Sequence, residues 1–77
     1  MSKRIFPVHY KKLIIIFEKL GFVVSRYHGD HVVMSKKGAL RPLIFQAVKD
    51  VPVFQIENNI KVAKITKKEY LDLLGNW

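Results

Sequence analysis

The stretch FVVSRYHGDHVVMS, residues 22–35, decides the fold of this chain. Valine, phenylalanine and tyrosine are frequent on both sides of its centre, and residues of these types favour β-strands. Gly29, at the centre, can adopt the left-handed backbone angles that a tight turn requires. The stretch therefore predicts a β-hairpin with strands at residues 22–27 and 31–35, joined by a turn at residues 28–30.

A third strand follows the hairpin after a short polar segment. Residues 36–39 read KKGA, which predicts a second turn, and residues 41–45 read RPLIF, which predicts a strand. Pro42 has no N–H group to donate to a neighbouring strand, so this strand lies at a sheet edge or has Pro42 near its beginning. Three strands joined by short connections predict an antiparallel meander.

A helix precedes the hairpin. Its apolar residues recur at the spacing of one helix face, and they are Leu13, Ile16, Phe17 and Leu20. Pro7 is placed to occupy the first turn, where a missing N–H group does no harm, and Gly21 is placed to end the helix. We therefore expect this helix to bury one stripe against the sheet.

A second helix follows the third strand and is opened by Pro52. Its apolar stripe is formed by Ile56, Ile60 and Ala63. Asn58 and Asn59 are weak helix formers, so we expect this helix to depend on its packing.

A capping box at Thr66 and Glu69 predicts a short last helix, because the hydroxyl and the carboxylate can each bond a backbone amide at the other position. The predicted order is α-β-β-β-α with this extra C-terminal helix, an α+β fold in two layers. One face of the sheet is covered by helices and the other is open to solvent or a partner. We expect residues 1–77 to form a single domain, with residues 1–6 as a flexible basic tail.

The charge of the chain is the first indication of function. Fourteen Lys and Arg residues oppose six Asp and Glu residues, which gives a formal net charge of +8. Such a charge on a small domain attracts polyanions and favours nucleic acid or an acidic protein as the partner, although it also serves solubility. The chain has no cysteine, which excludes disulfides and thiolate metal sites. Its longest apolar run, residues 13–17, is too short to span a bilayer, so we expect a cytoplasmic protein without membrane contact.

His31 is the candidate catalytic residue, because it follows a tight turn and keeps access to solvent. Histidine can take a proton from the 2′-hydroxyl of RNA or give one to the departing 5′-oxygen. Taken alone, a histidine in this position is more often a polar turn residue. Asp30 beside it could orient the ring and would also repel an incoming phosphate. No zinc site is expected, because His28 and His31 lack further ligands at a recognisable spacing.

Basic residues near the strand ends are candidates for binding RNA phosphates. The RNA-binding candidates are Arg26, His28, Lys36, Lys37, Arg41 and Lys49. The Lys36–Lys37 pair is equally well explained as a solvated hairpin tip. Tyr27 and Phe45 could stack on bases but are better explained as sheet or core residues, and Trp77 as a packing anchor or a disordered end. His9 has no evident partner in the sequence.

Several short motifs, in this order and at this spacing, resemble the HicA family of mRNA interferase toxins. These motifs are Gly21-Phe22, the Gly29-x-His31 turn, the segment RPLIF, Lys49-Asp50-Val51-Pro52 and the tail ITKKEYLDLL. The resemblance covers residues 7–74, which is nearly the whole chain.

The resemblance implies a double-stranded-RNA-binding-like α-β-β-β-α fold and an endoribonuclease that cleaves mRNA without a metal or other cofactor. His31 corresponds to the family's catalytic histidine, and a HicB-like antitoxin would cover the site. The free protein would be a monomer or a weak dimer. Asp30 replaces the family's usual serine, and the family's secondary histidines are absent at Val32 and in the segment 46–48.

Two alternatives remain open at the level of sequence. In the first, the protein is a non-catalytic RNA-binding module, which the residues at Asp30 and Val32 favour. In the second, the positive face mainly binds an acidic protein.

Overall fold

The computed structural model describes residues 4–75. Its elements are α1 (Tyr10–Lys19), β1 (Val23–His28), β2 (His31–Ser35), β3 (Leu43–Gln46), α2 (Val53–Ala63) and α3 (Lys67–Gly75). The predicted order of one helix, three strands and two helices is confirmed. Trp77 lies outside the described residues.

The three strands form one antiparallel sheet in the order β1-β2-β3, so the predicted meander is confirmed. β2 begins and ends at the predicted residues, whereas β1 begins one residue later than predicted and continues to His28. The register of β1 against β2 shifts between Val24 and Arg26, which marks a bulge at Ser25. β3 begins two residues later than predicted and ends one residue later, so Pro42 precedes the strand, and β3 lies at a sheet edge as one of the two alternatives for Pro42 predicted.

The start of α1 differs from the prediction. Pro7 is not in the first turn, because the helix begins at Tyr10. The backbone before it is extended, and Val8 forms an isolated antiparallel bridge with Val51. His9 caps the helix, since its Nδ1 accepts a hydrogen bond from the Lys11 amide at 3.1 Å. His9, which has no evident partner in the sequence, therefore has a structural role.

Gly21 ends α1 as predicted. Its φ of +98° lies in the left-handed region, which other residues rarely adopt. A Cβ atom at this position would lie 3.2 Å from Cε of Lys36, so the side chain of Lys36 also uses the space that the glycine leaves open.

The core lies between the sheet and the helices, and it includes the predicted stripes of α1 and α2 except Leu20 and Ala63, which are half-buried against it. Its buried residues are Ile5, Leu13, Ile16, Phe17, Phe22, Val32, Met34, Leu43, Phe45, Val51, Ile56, Ile60 and Tyr70. The Phe17 ring joins α1 to the sheet, with its centroid 6.1 Å from that of Phe45. Ile5 belongs to this core, so the prediction of a flexible tail over residues 1–6 is wrong at Ile5.

The outer edge of β3 is covered by two amide side chains of α2. Asn59, only 4% exposed, accepts a hydrogen bond from the Ile44 amide through Oδ1 and donates to the Ile44 carbonyl through Nδ2, both at 2.9 Å. Gln55 accepts from the Gln46 amide at 3.0 Å. These side chains supply the bonds that a fourth strand would make, which closes an edge that could otherwise pair with another chain.

α2 ends at Lys64, whose φ of +60° is left-handed. Because a side chain is disfavoured in this conformation, Lys64→Gly is expected to raise the free energy of unfolding by about 1 kcal/mol. Denaturant unfolding of the two proteins measures the difference. Lys61→Gly, inside the helix, provides the contrast and is expected to lose about 1 kcal/mol. A destabilised Lys64→Gly protein would contradict this interpretation of the helix end.

The capping box of α3 is confirmed. The Thr66 amide donates to Oε1 of Glu69 at 2.8 Å, and the Glu69 amide donates to Oγ1 of Thr66 at 3.0 Å. One turn later Tyr70 is fully buried, and its hydroxyl has no hydrogen-bond partner among residues 4–75. Burial raises the pKa of Tyr70 from 10.0 to about 12, because the phenolate would be poorly solvated.

The raised pKa of Tyr70 predicts a loss of stability in alkali. Between pH 10 and 12 the unfolded tyrosine has lost its proton while the folded one keeps it, so the unfolded state is favoured as the pH rises. Tyr70→Phe removes both this effect and an unpaired buried hydroxyl. We expect the variant to be more stable by about 1 kcal/mol at pH 7, and this advantage to grow by about 1.4 kcal/mol at pH 11. Urea unfolding at both pH values measures it, and a constant difference would contradict the prediction.

Candidate nucleic-acid interface

The face of the sheet that points away from the core presents two cross-strand rows of predicted site residues. Partners in an antiparallel ladder share a face, and neighbours along a strand alternate between faces. Val32 and Phe45 are paired and buried in the core, so the rows on either side of them point outward. The two rows are Arg26, Val33 and Ile44, and His28, His31 and Gln46.

His31 lies in the second row with its side chain 41% exposed. It is the first residue of β2 and is paired with His28 across the turn and with Gln46 on β3. The turn is held in place because the Ala47 amide donates to the Asp30 carbonyl at 2.6 Å. The imidazole therefore stands on a fixed backbone and remains accessible to solvent.

A carboxylate lies against one nitrogen of the His31 ring. Nδ1 of His31 is 3.1 Å from Oδ1 of Asp30, whose side chain is 68% exposed. A carboxylate in this position favours the proton on Nδ1 and leaves Nε2 with a free lone pair, which is the form that a general base requires. Asp30 is therefore placed to orient the ring of His31, which is one of the two effects that the sequence predicted for it.

Arg26 is the predicted cation nearest to His31 on this face. It is paired with Val33, and His31 lies two residues away on the same strand, so the Cα atoms of Arg26 and His31 are diagonal neighbours about 7–8 Å apart. A guanidinium can span such a distance. His28 lies on the same face, directly opposite His31, and no carboxylate pairs with it among residues 4–75.

The structure places three of the other predicted cations away from His31. Lys36, Lys37 and Arg41 lie in or beside the loop at the opposite end of β2. Lys36 follows His31 by five positions, which in an extended strand corresponds to about 17 Å. Lys49 is in the connection that follows β3, near the histidine end, where the Val48 carbonyl accepts from the Tyr10 amide. Most of the predicted Lys and Arg side chains therefore lie at the other end of β2 from His31.

An open groove of about 570 Å³ lies between the β2–β3 loop and the end of α2, and we name it the cation groove. The basic side chains that line it are Lys36, Lys37, Arg41, Lys61 and Lys64, and no acidic residue lines it among those described. Lys61 and Lys64 were not among the residues predicted from the sequence. Their spacing placed them near one helix end, but nothing in the sequence indicated that this end lies beside the loop.

A second groove of about 280 Å³ joins the cation groove to the open face of the sheet, and we name it the sheet groove. Arg26 and Val33 line its floor on the sheet side. Lys36, Leu40 and Arg41 line both grooves, so the β2–β3 loop connects them. The β2–β3 loop therefore borders both the end of α2 and the row that contains Arg26.

Lys36 is held in place at the junction of the two grooves. Its ammonium nitrogen lies 5.5 Å from the centroid of the Phe22 ring, which is a cation–π distance. Phe45 is fully buried. It is therefore a core residue, which was the preferred interpretation over stacking on bases. Tyr27 is exposed at the edge strand β1 and is not a core residue.

Comparison with protein families, with curated proteins and with solved structures finds no match for this chain. Residues 4–75 contain no group of three or more His, Asp or Glu side chains that could hold a metal ion. No helix within the same residues is long and apolar enough to cross a membrane.

Proposed function

We propose that this protein is a HicA-like toxin, a ribonuclease that cleaves mRNA with His31 as general acid and base. The observation that carries the proposal is the half-exposed imidazole of His31 with Asp30 3.1 Å from its Nδ1, on an open sheet face next to Arg26. The α-β-β-β-α order of the fold is the one that the resemblance to the HicA family implies.

The proposed reaction is a transesterification. Nε2 of His31 takes the proton of the 2′-hydroxyl, the 2′-oxygen attacks the adjacent phosphorus, and the bond from phosphorus to the 5′-oxygen breaks. The imidazolium then gives its proton to the departing 5′-oxygen. The products are a 2′,3′-cyclic phosphate and a free 5′-hydroxyl. Asp30 stabilises the imidazolium through its proximity to Nδ1, and Arg26 can offset the charge that develops on the phosphoryl oxygens.

The inhibitor that this proposal requires is a HicB-like antitoxin that covers the open sheet face. That face combines the cationic side chain of Arg26 with the exposed apolar side chains of Val23 and Ile44. An acidic protein surface with an apolar centre would complement it.

The test is incubation of the purified protein with mRNA and analysis of the ends of the products. We expect fragments with 2′,3′-cyclic phosphate and 5′-hydroxyl ends, formed equally well in the presence of a chelator. RNA that stays intact after prolonged incubation at protein excess would refute the nuclease proposal. Loss of cleavage in the chelator would refute its metal independence.

A non-catalytic RNA-binding module is the second candidate. It is favoured by Asp30, because an exposed carboxylate at the histidine repels the scissile phosphate, and by the location of most predicted cations at the far end of β2. Binding of RNA with a steep salt dependence and no cleavage would select this function. Failure to bind any RNA at low salt would instead favour an acidic protein as the partner.

A further inference from the structure

We propose that the cation groove holds backbone phosphates of a single RNA strand that also passes His31. This inference rests on the RNA-binding part of the proposed function, but not on cleavage. It assigns a role to Lys61 and Lys64, which the sequence did not single out, and it makes the groove a second contact on the same strand.

The charge of the groove fits a polyanion. Five cationic side chains line it without an acidic neighbour among the described residues, so their fields add. The last carbonyls of α2 would oppose an anion, but those of Ile60 and Lys61 accept hydrogen bonds from the amides of Ile65 and Lys64. Lys36 is already positioned over Phe22, so less freedom is lost when it meets a phosphate.

The shape fits an extended strand better than a small anion. The cation groove and the sheet groove are both open, and they share the rim formed by Lys36, Leu40 and Arg41. Leu40, 92% exposed between these cations, offers an apolar surface to a base or a ribose. The sheet groove then leads to Arg26, whose row adjoins that of His31.

The length of this surface sets the shortest strand that can reach both contacts. Lys36 and His31 are separated by about 17 Å along β2. A strand must therefore be several nucleotides long to reach both contacts, and a shorter strand can occupy only one of them.

The choice of Lys64 makes the test independent of folding. The position is left-handed, so Lys64→Gly removes a charge at a site where the backbone favours glycine. We combine it with Lys61→Gln to form the groove variant. The matched control is Lys67→Gln with Lys68→Gln, which removes the same charge from residues that do not line either groove.

The experiment measures RNA affinity against salt concentration in the His31→Ala background, where the RNA stays uncut. The probes are a 16-nucleotide single strand and a 4-nucleotide strand. With the long strand we expect the groove variant to bind about tenfold more weakly at low salt, and the slope of log K against log salt to fall by about 1.4, about 0.7 for each lost phosphate contact. The control should change both quantities much less, and the short strand should bind every variant more weakly than the long strand, because it reaches only one of the two places.

The outcomes separate this inference from the nuclease proposal. Equal salt slopes for the groove variant and the control would overturn the groove as an RNA site, even if His31 cleaves RNA. A smaller salt slope for the groove variant than for the control would support the groove as an RNA site, even if no cleavage is observed. Equal affinity of the His31→Ala protein for the two strands would overturn a joint contact with the groove and the sheet face, and binding of polyglutamate in place of RNA would assign the groove to an acidic protein.

Discussion

Replacement of His31 by alanine is expected to lower the rate of RNA cleavage by about 10²- to 10⁴-fold, the usual contribution of a general acid or base. In the proposed reaction the imidazole transfers the proton, and its Nδ1 lies 3.1 Å from the carboxylate of Asp30, so alanine cannot replace it. Affinity for RNA should change little, because the phosphate contacts come from the cations. Single-turnover cleavage at protein excess measures the rate, and a binding assay measures the affinity.

Two further variants show whether His31 acts through chemistry or through structure. Asp30→Asn keeps the size of the side chain but removes the charge beside Nδ1, so we expect an intermediate loss, smaller than that of His31→Ala. His28→Ala removes the facing histidine, which has no carboxylate partner within residues 4–75, and we expect less than about a tenfold loss. Equal rates for wild type and His31→Ala would eliminate His31 as the catalytic residue.

Replacement of Asn59 by leucine is expected to lower the free energy of unfolding by about 2–4 kcal/mol. The Asn59 amide makes two hydrogen bonds to Ile44 and a third, at 2.8 Å, from Nδ2 to the Gln55 carbonyl. Leucine has a similar size but leaves the amide and carbonyl of Ile44 unpaired beside α2. The loss reflects buried backbone groups without partners, and it also exposes the edge of β3 to pairing with other chains.

Asn58 provides the matched control for this prediction. It is the neighbouring residue of the same type in the same helix, but it is exposed to solvent. Asn58→Leu should leave stability within about 0.5 kcal/mol, since leucine is also the better helix former. Denaturant unfolding of both variants, with light scattering to detect association, makes the comparison. Equal effects at the two positions would mean that helix propensity, and not the cover over β3, governs this part of the chain.

The elements with local signals could be predicted from the sequence. The residues of β2, the left-handed end of α1 at Gly21 and the capping box at Thr66 were predicted correctly, because each depends on a few adjacent residues. The start of α1 was wrong, because Val8 pairs with Val51, a residue far along the chain. A bridge between residues so far apart along the chain leaves no recognisable pattern in the sequence around Pro7.

The candidate site was predicted in part. The accessible position of His31 follows from its place after the turn, and the structure places Arg26 near it. The distance between His31 and the cations of the β2–β3 loop could have been estimated from the strand length. The contribution of Lys61 and Lys64 to the cation groove could not be predicted, because it depends on where α2 ends relative to a loop about twenty residues earlier.

The sequence by itself determined the order of elements, the antiparallel meander, the buried stripes and the excess of positive charge. These features arise from turn geometry, residue periodicity and composition, which act over a few positions or over the whole chain. Only the tertiary structure decided that Asn59 covers the β3 edge and that α2 completes the cation groove beside the β2–β3 loop. Each of these depends on contacts between distant segments, which form only when the helices pack on the sheet.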